Sequence, residues 1–353
     1  MIRRSILALS IYELWGAGTD YDKLVESVQR NTAIDPFLYQ NTSWRFDIDS
    51  FQGKKSSSQQ RELIEKFAFF AFQGPIRLKD AELQMCIFED YELNAPSPHM
   101  LYIGRRIAGS DREAITKYDL KKRQYISRTS MDAELSLVTA NMVLAAPGKT
   151  VFDPFVGTGS FTVACSHFGA MTMGADIDGR SIRGTPGRDV FSNFQQYGLV
   201  SRLFENFISD LTHTPLRTVR FLDGVVCDPP YGVREGPKTL GYRGEKEATM
   251  VMIDGQPAHL CVEMIPLCCI IANVIDRREG YIAPKRPYGF DDMMFDVLAF
   301  AYLMLVDNGR LCMWMPTAND EDIELAIPTH PGLKLISVSV QQFNKCKPTM
   351  VWG

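Results

Sequence analysis

Six short apolar segments in the second half of this 353-residue chain alternate with stretches that are long enough for a helix. The segments are Thr150–Pro154, Met171–Asp176, Asn206–Ser209, Gly224–Cys227, Arg310–Met315 and Leu335–Val340. Alternating strands and helices predict an α/β fold with a parallel sheet covered on both faces. Open sheets of this kind bind ligands at the carboxyl edge of their strands. We therefore expect the functional residues to follow the ends of these segments.

A glycine-containing loop follows the first segment, over Asp153-Pro-Phe155-Val-Gly157-Thr158-Gly159. Two glycines that are two residues apart let the backbone turn tightly and approach a ligand. The apolar stretch 161–168 predicts a helix, whose free N–H groups favour an anion. The loop matches neither GxGxxG nor GxxxxGK[ST], and its aspartate suits a ligand with an ammonium group. A plain strand-to-helix turn is the alternative.

Aspartates also follow the next two segments. Asp176 ends the second segment and can accept two hydrogen bonds from a ribose diol, whereas Asp178 is a candidate N-cap of the next helix. Asp210 follows the third segment and can accept an amino proton from an adenine. A glycine loop and three acids at successive strand ends predict binding of S-adenosylmethionine, a nucleoside with a charged amino-acid tail.

The most specific motif, Asp228-Pro229-Pro230-Tyr231, follows the fourth segment. Two consecutive prolines cannot continue a strand, and they fix the backbone so that a carbonyl points outward beside Asp228. Asp228 and the Pro229 carbonyl can hold the two N–H groups of an exocyclic amine, and Asp228 can relieve the charge that develops on it. Tyr231 offers a flat face for a base. All four residues are predicted to be catalytic; a rigid turn capped by a core tyrosine is the alternative.

The first half of the chain predicts a smaller α+β region, residues 1–116. Its expected helices are Ile6–Trp15 and Arg61–Phe72, and its expected strands are Trp44–Phe51, Met85–Phe88 and Met100–Ile103. A basic linker, residues 117–131, separates it from the α/β domain, residues 132–353, which opens with a predicted helix over Asp132–Leu144.

A local basic patch contrasts with the small net charge of −4. Residues 101–128 hold eight Lys or Arg and three Asp or Glu. Basic side chains that neutralise phosphates give salt-dependent affinity for nucleic acid. The predicted contacts with nucleic-acid phosphates are Arg105, Arg106, Lys121, Lys122 and Arg123; an ordinary solvated connector is the alternative.

Composition and cysteine spacing exclude several classes of protein. Hydrophobic residues make up 45% and charged residues 23%, which excludes collagen-like, coiled-coil and disordered chains. The eight cysteines lack a CxxC motif and metal-like spacing with the five histidines, so we predict reduced thiols and no metal site. The chain start lacks a signal-peptide cleavage site, and the longest apolar run, Leu260–Ile275, is shorter than the about 20 residues that span a bilayer. We expect a cytoplasmic protein with no membrane partner.

Blocks along most of the chain resemble the catalytic subunit of the eukaryotic tRNA (guanosine-10 N2) methyltransferases, a THUMP-domain class I methyltransferase family. The blocks are Arg4–Leu7, Ile11–Gly16, Lys117–Arg123, Thr129–Val138, Asp153–Phe161, Ala175–Gly184, Cys227–Arg234, Trp314–Asp320 and Gln342–Lys345. Together they are far more specific than any single motif.

The resemblance implies a seven-stranded class I (Rossmann-like) methyltransferase domain, preceded by a ferredoxin-like piece and a THUMP module that docks tRNA by its shape. It implies N2-methylguanosine in the tRNA core as product and a small zinc-binding activator subunit as partner. Matched by position, the cofactor residues are Asp153, Gly157, Thr158 and Gly159 at the methionine moiety, Asp176 at the ribose and Asp210 at the adenine. Asp228, Pro229 and Tyr231 match at the target guanine, and Thr129 and Ser130 match the family's additional cofactor-side segment. We include Phe155 of the glycine loop among the cofactor-binding residues.

The chain departs from the family pattern in three places. It begins at the block Arg4–Leu7, which several dozen residues usually precede, including the opening strand of the N-terminal module. The apolar run Leu260–Ile275 is interposed where relatives have a polar loop. Residues 347–353 replace the expected last strand and basic tail.

Three functions follow as hypotheses. The first is an S-adenosylmethionine-dependent tRNA methyltransferase that forms N2-methylguanosine at guanosine 10, as catalytic subunit of a two-subunit complex. The second is adenine N6 methylation of DNA or RNA, because the motif at 228–231 also serves that chemistry. The third is a non-catalytic tRNA-binding remnant. Competition between tRNA and duplex DNA separates the first two, and tight tRNA binding without methyl transfer would favour the third.

Overall fold

The computed structural model describes residues 2–50, 55–231, 236–240, 250–253, 256–259, 285–317, 327–341 and 347–352. The chain divides into two compact units, Met1–Ala114 and Ile115–Gly353. Within the described ranges, no helix is long and apolar enough to cross a membrane.

The first unit is a four-stranded sheet with helices packed against it. Its elements are β1 (Ser10–Gly18), α1 (Tyr21–Arg30), β2 (Trp44–Ser50), α2 (Ser57–Glu65), β3 (Leu83–Asp90) and β4 (Met100–Gly109), followed at the unit boundary by α3 (Glu113–Tyr118). The strand order is β1-β4-β3-β2, with β2 parallel to β3 and the other pairs antiparallel. Trp15, Leu24, Leu83 and Ile103 are fully buried in its core.

The three strands predicted in this unit are confirmed, but the helix predicted over Ile6–Trp15 is wrong. Residues from Ser10 onward form β1, which pairs with β4. The helix-like apolar spacing came from Leu7, Ile11 and Leu14, and these side chains are 64%, 49% and 57% exposed. An apolar stripe stabilises a helix only when it is buried. Because these side chains are exposed, pairing with β4, about 90 residues away, makes the segment a strand instead.

The helix predicted over Arg61–Phe72 is correct only in its first part. Helix α2 ends at Glu65, and a short 3-10 helix, Ala68–Phe70, follows it. Phe67 and Phe70 are buried in the core of the unit. Aromatic side chains at these positions pack on the sheet, so the chain leaves the helical path there.

The second unit alternates strands and helices. Its elements are α4 (Ala133–Met142), β5 (Thr150–Asp153), α5 (Ser160–His167), β6 (Met171–Asp176), α6 (Gly179–Arg183), α7 (Val190–Tyr197), β7 (Leu203–Ile208), β8 (Leu222–Cys227), β9 (Lys238–Leu240), β10 (Met250–Ile253), β11 (Gln256–His259), β12 (Lys285–Pro287), α8 (Phe290–Met304), β13 (Leu305–Thr317), β14 (Ser337–Val340) and β15 (Lys347–Trp352). Each of the six predicted strands coincides with or overlaps one of these elements.

Seven strands form the central sheet of this unit, in the order β14-β15-β13-β8-β5-β6-β7. The five strands from β13 to β7 are parallel, and β15 runs antiparallel to both of its neighbours. The parallel α/β fold predicted from the alternation is therefore confirmed. The carboxyl ends of β5, β6, β7 and β8 lie at one edge, where the predicted site residues follow them.

The expectation that residues 347–353 replace the last strand is wrong. Residues Lys347–Trp352 form β15, which is inserted between β13 and β14. The interposed run Leu260–Ile275 lies outside the described residues.

Helix α8 and the central strands form the core that holds the site edge in place. Val297 and Ala301 of α8 are fully buried with Leu222 and Val225 of β8. On α4, the Thr139 hydroxyl accepts a hydrogen bond of 3.1 Å from the indole N–H of Trp314, which is 2% exposed. A sheet fixed in this way gives the strand ends a rigid frame.

Candidate active site

Three carboxylates lie at the ends of three neighbouring strands. β5 ends at Asp153, β6 ends at Asp176, and Asp228 follows β8, and β5 lies between the other two in the sheet. Asp153 is 1% exposed. Burial raises the pKa of Asp153 well above its usual range, and the negative charges of Asp176 and Asp228 raise it further. Burial and the neighbouring charges thus disfavour the charged form of Asp153, and a cationic ligand at this edge would favour it.

The glycine loop after β5 is held by two of these carboxylates. The Phe155 N–H donates to Asp153 Oδ1 at 2.9 Å, and the Gly157 N–H donates to Asp176 Oδ2 at 3.0 Å. The other oxygen of Asp176, Oδ1, accepts from the Asp178 N–H at 2.7 Å. Phe155 itself is half-buried and packs against the sheet core. Asp176 thus ties the loop to the end of β6.

Both loop glycines adopt left-handed backbone conformations, with φ of +49° at Gly157 and +81° at Gly159. A Cβ added at Gly157 would meet only the Phe155 carbonyl oxygen, at 3.9 Å, so there is open space beside this residue. A Cβ at Gly159, in contrast, would lie 2.7 Å from Val190 Cγ1. The first glycine leaves room for a ligand, and the second allows helix α5 to begin at Ser160 against α7.

The predicted cofactor-side segment lies against this loop. The Ser130 hydroxyl forms a hydrogen bond of 2.7 Å with the hydroxyl of Thr158, which is 4% exposed. Thr129 is exposed, and its hydroxyl bonds with that of Ser127 at 2.9 Å. Ser130 therefore contacts the loop directly, whereas Thr129 lies on the adjoining turn.

Asp178 caps the next helix, as predicted from its position. Its side chain accepts from the Arg180 N–H, and the Arg180 guanidinium lies 2.6 Å from Oδ2. The hydrogen bond from the Arg180 side chain lowers the pKa of Asp178 to about 2.

Asp210 follows β7 and is 4% exposed. Its Oδ2 accepts from the Thr239 hydroxyl at 2.7 Å, the Leu240 N–H at 3.0 Å and the Thr212 hydroxyl at 2.9 Å. Burial raises the pKa of Asp210, but the hydrogen bonds, led by that from Leu240, outweigh it and lower the pKa. The sequence predicted an adenine acceptor here and missed this second role, which is to anchor β9 at the site edge.

The motif Asp228-Pro229-Pro230-Tyr231 leaves the end of β8 at the same edge. Pro229 is buried, and Asp228, Pro230 and Tyr231 are half-buried. Burial raises the pKa of the Cys227 thiol, and the charges of Asp153 and Asp228 raise it further. The Tyr231 hydroxyl is buried without a hydrogen-bond partner in the described part of the chain. A buried hydroxyl without a partner is unfavourable, so it offers a hydrogen bond to a ligand.

The predicted RNA contacts differ in exposure. Lys121 and Lys122 are exposed, whereas Arg123 is 6% exposed and donates from Nη1 to the Ser160 hydroxyl at 2.9 Å. Because Arg123 is buried, it is not one of the surface cations. No local sequence pattern indicates this, since its partner, Ser160, lies 37 residues away.

Arg105 and Arg106 of the first unit are half-buried. Arg105 Nε donates to Glu13 Oε2 at 2.9 Å, and Arg106 Nε donates to the Ser10 hydroxyl at 3.0 Å. Each keeps part of its surface accessible while one side of its guanidinium is held within the unit.

Among the described residues, no group of three or more His, Cys, Asp or Glu side chains is placed to hold a metal ion. Four described cysteines are buried and form no disulfide: Cys86, Cys165, Cys227 and Cys312.

Two family models match the chain. Residues 1–112 match the Tmrp11 THUMP N-terminal domain, and residues 121–241 match the RMKL-like methyltransferase domain. Among solved structures, TrmN from Thermus thermophilus aligns over 98% of this chain and 83% of its own, with 18% identity and a TM-score of 0.42.

Curated relatives extend over nearly the whole chain. The tRNA (guanine(10)-N(2))-methyltransferase of Saccharomyces cerevisiae is 38% identical, covering 98% of this chain and 78% of its own. The enzyme of the same name from Schizosaccharomyces pombe is 39% identical over 97% of this chain and 68% of its own. The human relative, TRMT11, is 32% identical over 98% and 74%. The chain belongs to the tRNA (guanine(10)-N(2))-methyltransferase family.

Proposed function

We propose that this chain transfers a methyl group from S-adenosylmethionine to the exocyclic 2-amino group of guanosine 10 in tRNA. The observation that carries the proposal is the meeting of Asp153, Asp176 and Asp228 at one sheet edge, beside the glycine loop and the motif at 228–231. The relatives of the chain bear the name of this activity.

The residues at this edge fit S-adenosylmethionine. The cofactor carries a sulfonium and an ammonium group, which the three carboxylates attract, and the open space beside Gly157 admits it to the loop. When bound, it supplies a methyl group on a positively charged sulfur. Asp153 and the loop backbone hold the methionine moiety, with Ser130 and Thr158 beside it. Asp176 accepts from the ribose, and the region of Asp210 receives the adenine.

Asp228 and Pro229 are assigned to the amine of the target base. Their oxygens accept its two N–H groups, which turns the nitrogen lone pair away from the acceptors, and Asp228 is placed to take up the proton that the methylated amine releases. Tyr231 stacks on the base and its hydroxyl gains a partner. The base must leave its stack to reach these residues.

The first unit and the exposed lysines are assigned to the RNA. The THUMP-type unit holds tRNA, and Lys121 and Lys122 add phosphate contacts, whose contribution falls as salt concentration rises. A small zinc-binding activator subunit completes the enzyme as a heterodimer. The four buried cysteines that form no disulfide accord with a cytoplasmic location.

The test is transfer of labelled methyl from S-adenosylmethionine to a tRNA transcript, by the chain co-expressed with the activator. A second transcript carries adenosine in place of guanosine 10. The variant Asp228→Asn should lower kcat by about 100-fold or more, while its dissociation constant for S-adenosylhomocysteine changes less than about threefold.

The matched control is Asp223→Asn, at the opposite end of the same strand. Asp223 pairs with Lys149 at 2.7 Å and accepts from the Thr150 N–H at 2.9 Å, far from the carboxyl edge. This variant should keep its activity. Equal labelling of both transcripts would refute guanosine 10 as target. Labelling of duplex DNA in preference to tRNA would favour adenine methylation, and near-full activity of Asp228→Asn would refute the role of Asp228.

A further inference from the structure

We propose that Asn193 is a positioning residue that holds residues 123–130, here called the strap, against the cofactor loop. The inference rests on the proposed function, since it concerns the same cofactor site. The strap follows the first unit in the sequence and lies wholly within the second unit. It has little regular structure of its own, so hydrogen bonds to other elements must fix its path.

A single buried amide joins the strap to the loop. Asn193 lies on α7 and is 0% exposed. Its Nδ2 donates both to the Tyr125 carbonyl oxygen at 2.9 Å and to the Thr158 carbonyl oxygen at 3.0 Å, and its Oδ1 accepts from the Tyr125 N–H at 3.0 Å. Both polar atoms of the amide are thus used. One side chain satisfies the backbone of the strap and the backbone between the two loop glycines.

Two flanking contacts link the strap to the same stretch of the chain. Arg123, at the start of the strap, donates to the Ser160 hydroxyl at 2.9 Å, and Ser130, at its end, bonds to the Thr158 hydroxyl at 2.7 Å. Thr158 is therefore held at its carbonyl by Asn193 and at its hydroxyl by the strap. The loop conformation depends on groups outside the loop.

The strap also reaches the ribose side of the site. The Tyr125 hydroxyl donates to the Ser181 carbonyl oxygen at 2.7 Å, on α6, which follows Asp176. Burial raises the pKa of Tyr125, and the charges of Asp176 and Asp178 raise it further, which agrees with a hydroxyl near these acids. Through Tyr125, Asn193 is connected to both halves of the cofactor site.

These contacts indicate that Asn193 positions the strap and the loop and takes no part in the methyl-transfer step. It makes no contact with the catalytic motif through these bonds, so its loss should loosen the strap and loop without changing Asp228. Preorganised loops bind ligands more tightly because less ordering remains to be done on binding. The expected result is weaker cofactor binding with a nearly unchanged chemical step.

The experiment compares wild type with Asn193→Ala, both as the full chain with the activator. Calorimetry measures the dissociation constant for S-adenosylhomocysteine, and methyl transfer gives KM for S-adenosylmethionine and kcat. We expect the dissociation constant and KM to rise about tenfold, because binding would then have to order the strap and the loop, and we expect kcat at saturating cofactor to change less than about threefold.

The matched control is Thr172→Val, which removes a buried hydroxyl from β6 away from the strap. Thr172 is 0% exposed and bonds to the Ser166 hydroxyl at 2.9 Å, toward the other end of α5. Its cofactor affinity should stay within about twofold of wild type. Unchanged affinity in Asn193→Ala, or an equal loss in the control, would overturn the inference.

Should Asn193→Ala fail to fold, the variant Tyr125→Phe carries the test. It keeps Asn193 and removes the hydroxyl that anchors the strap to α6, so affinity should fall about threefold, and unchanged affinity would again overturn the inference. Because the binding measurement needs no tRNA, it tests the role of Asn193 independently of the proposed function. A wild type that binds S-adenosylhomocysteine but methylates no tRNA refutes the proposed function and leaves the role of Asn193 to be decided by affinity.

Discussion

The second glycine of the cofactor loop offers a perturbation whose magnitude follows from the structure. Gly159 has φ of +81°, and a Cβ there would lie 2.7 Å from Val190 Cγ1 and 3.2 Å from Thr162 Oγ1. Val190 is 1% exposed on α7, so it has little freedom to move away. Gly148, in the turn before β5, has nearly the same φ of +80°, and a Cβ there would meet nothing within 4 Å. The two sites thus share a backbone conformation and differ in surroundings.

Comparing alanine variants at the two sites separates the effect of backbone strain from the effect of steric overlap with Val190. An alanine in the left-handed region is disfavoured by about 1–2 kcal/mol, of which about 0.4–1 kcal/mol is offset by the reduced entropy of the unfolded chain. Gly148→Ala should therefore lower the free energy of unfolding by about 1 kcal/mol or less. Gly159→Ala also overpacks the core, which adds about 1–3 kcal/mol. We expect a total loss of about 2–4 kcal/mol for it.

Equilibrium urea denaturation followed by circular dichroism measures both losses. The variant Val190→Ala gives a double-mutant cycle, in which Gly159→Ala should be less destabilising once Val190 Cγ1 is absent. Calorimetry should show weaker binding of S-adenosylhomocysteine by Gly159→Ala and unchanged binding by Gly148→Ala. Equal losses in unfolding free energy for the two glycine variants, together with no coupling to Val190, would refute the reasoning.

Two further predictions concern carboxylates at the site edge. Asp153→Asn should raise the free energy of unfolding, because the pKa of Asp153 is raised in the folded state. A carboxyl with a raised folded pKa makes the wild-type protein less stable as pH rises through that pKa. The gain of the variant over wild type in denaturation curves should therefore be larger at pH 8 than at pH 4.5. Asp178→Ala should lower it by about 1 kcal/mol at pH 7 through loss of the α6 N-cap. The folded pKa of Asp178 is lowered to about 2, so the contribution of its charged form to stability is complete above the unfolded pKa near 4 and is lost as pH falls toward 2. Asp178→Asn should keep the cap and lose this pH dependence.

The predictable parts of the fold are those with a local sequence pattern. Met171–Asp176 was predicted with the bounds that β6 has, because a glycine turn and a helix cap enclose it. The local pattern around β1 predicts a helix, because the strand that pairs with it, β4, is remote in the sequence. The sequence of residues 347–353 predicts a replaced last strand, because the pairing of β15 with β13 and β14 leaves no local pattern.

The candidate site divides in the same way. Asp153, Asp176 and Asp228 could be predicted as one group because parallel strand ends meet at one edge whatever the loops do. The anchors of the site could not, because Asn193 bonds to residues 35 and 68 positions earlier and Asp210 to residues about 30 positions later. Asn193 did leave one sign in the sequence, a polar residue beside the apolar Val190 and Phe194 on the buried side of α7.

The carboxylates at the site edge lower the stability of the protein without ligand and strengthen the binding of a cation for the same physical reason. Bringing Asp153 out of water beside Asp176 and Asp228 disfavours its charged form, and the empty fold is less stable for it. A cationic ligand at this edge attracts the charged form of Asp153, so the ligand removes the unfavourable interaction among the carboxylates. Binding of the cation therefore stabilises the folded protein. Asp153→Asn should therefore raise stability without ligand and weaken affinity for S-adenosylmethionine, and the melting-temperature increase on adding cofactor should be smaller in the variant than in wild type. A variant that gained stability and kept its full cofactor-induced increase would show that the negative charge of this edge is not what selects the ligand.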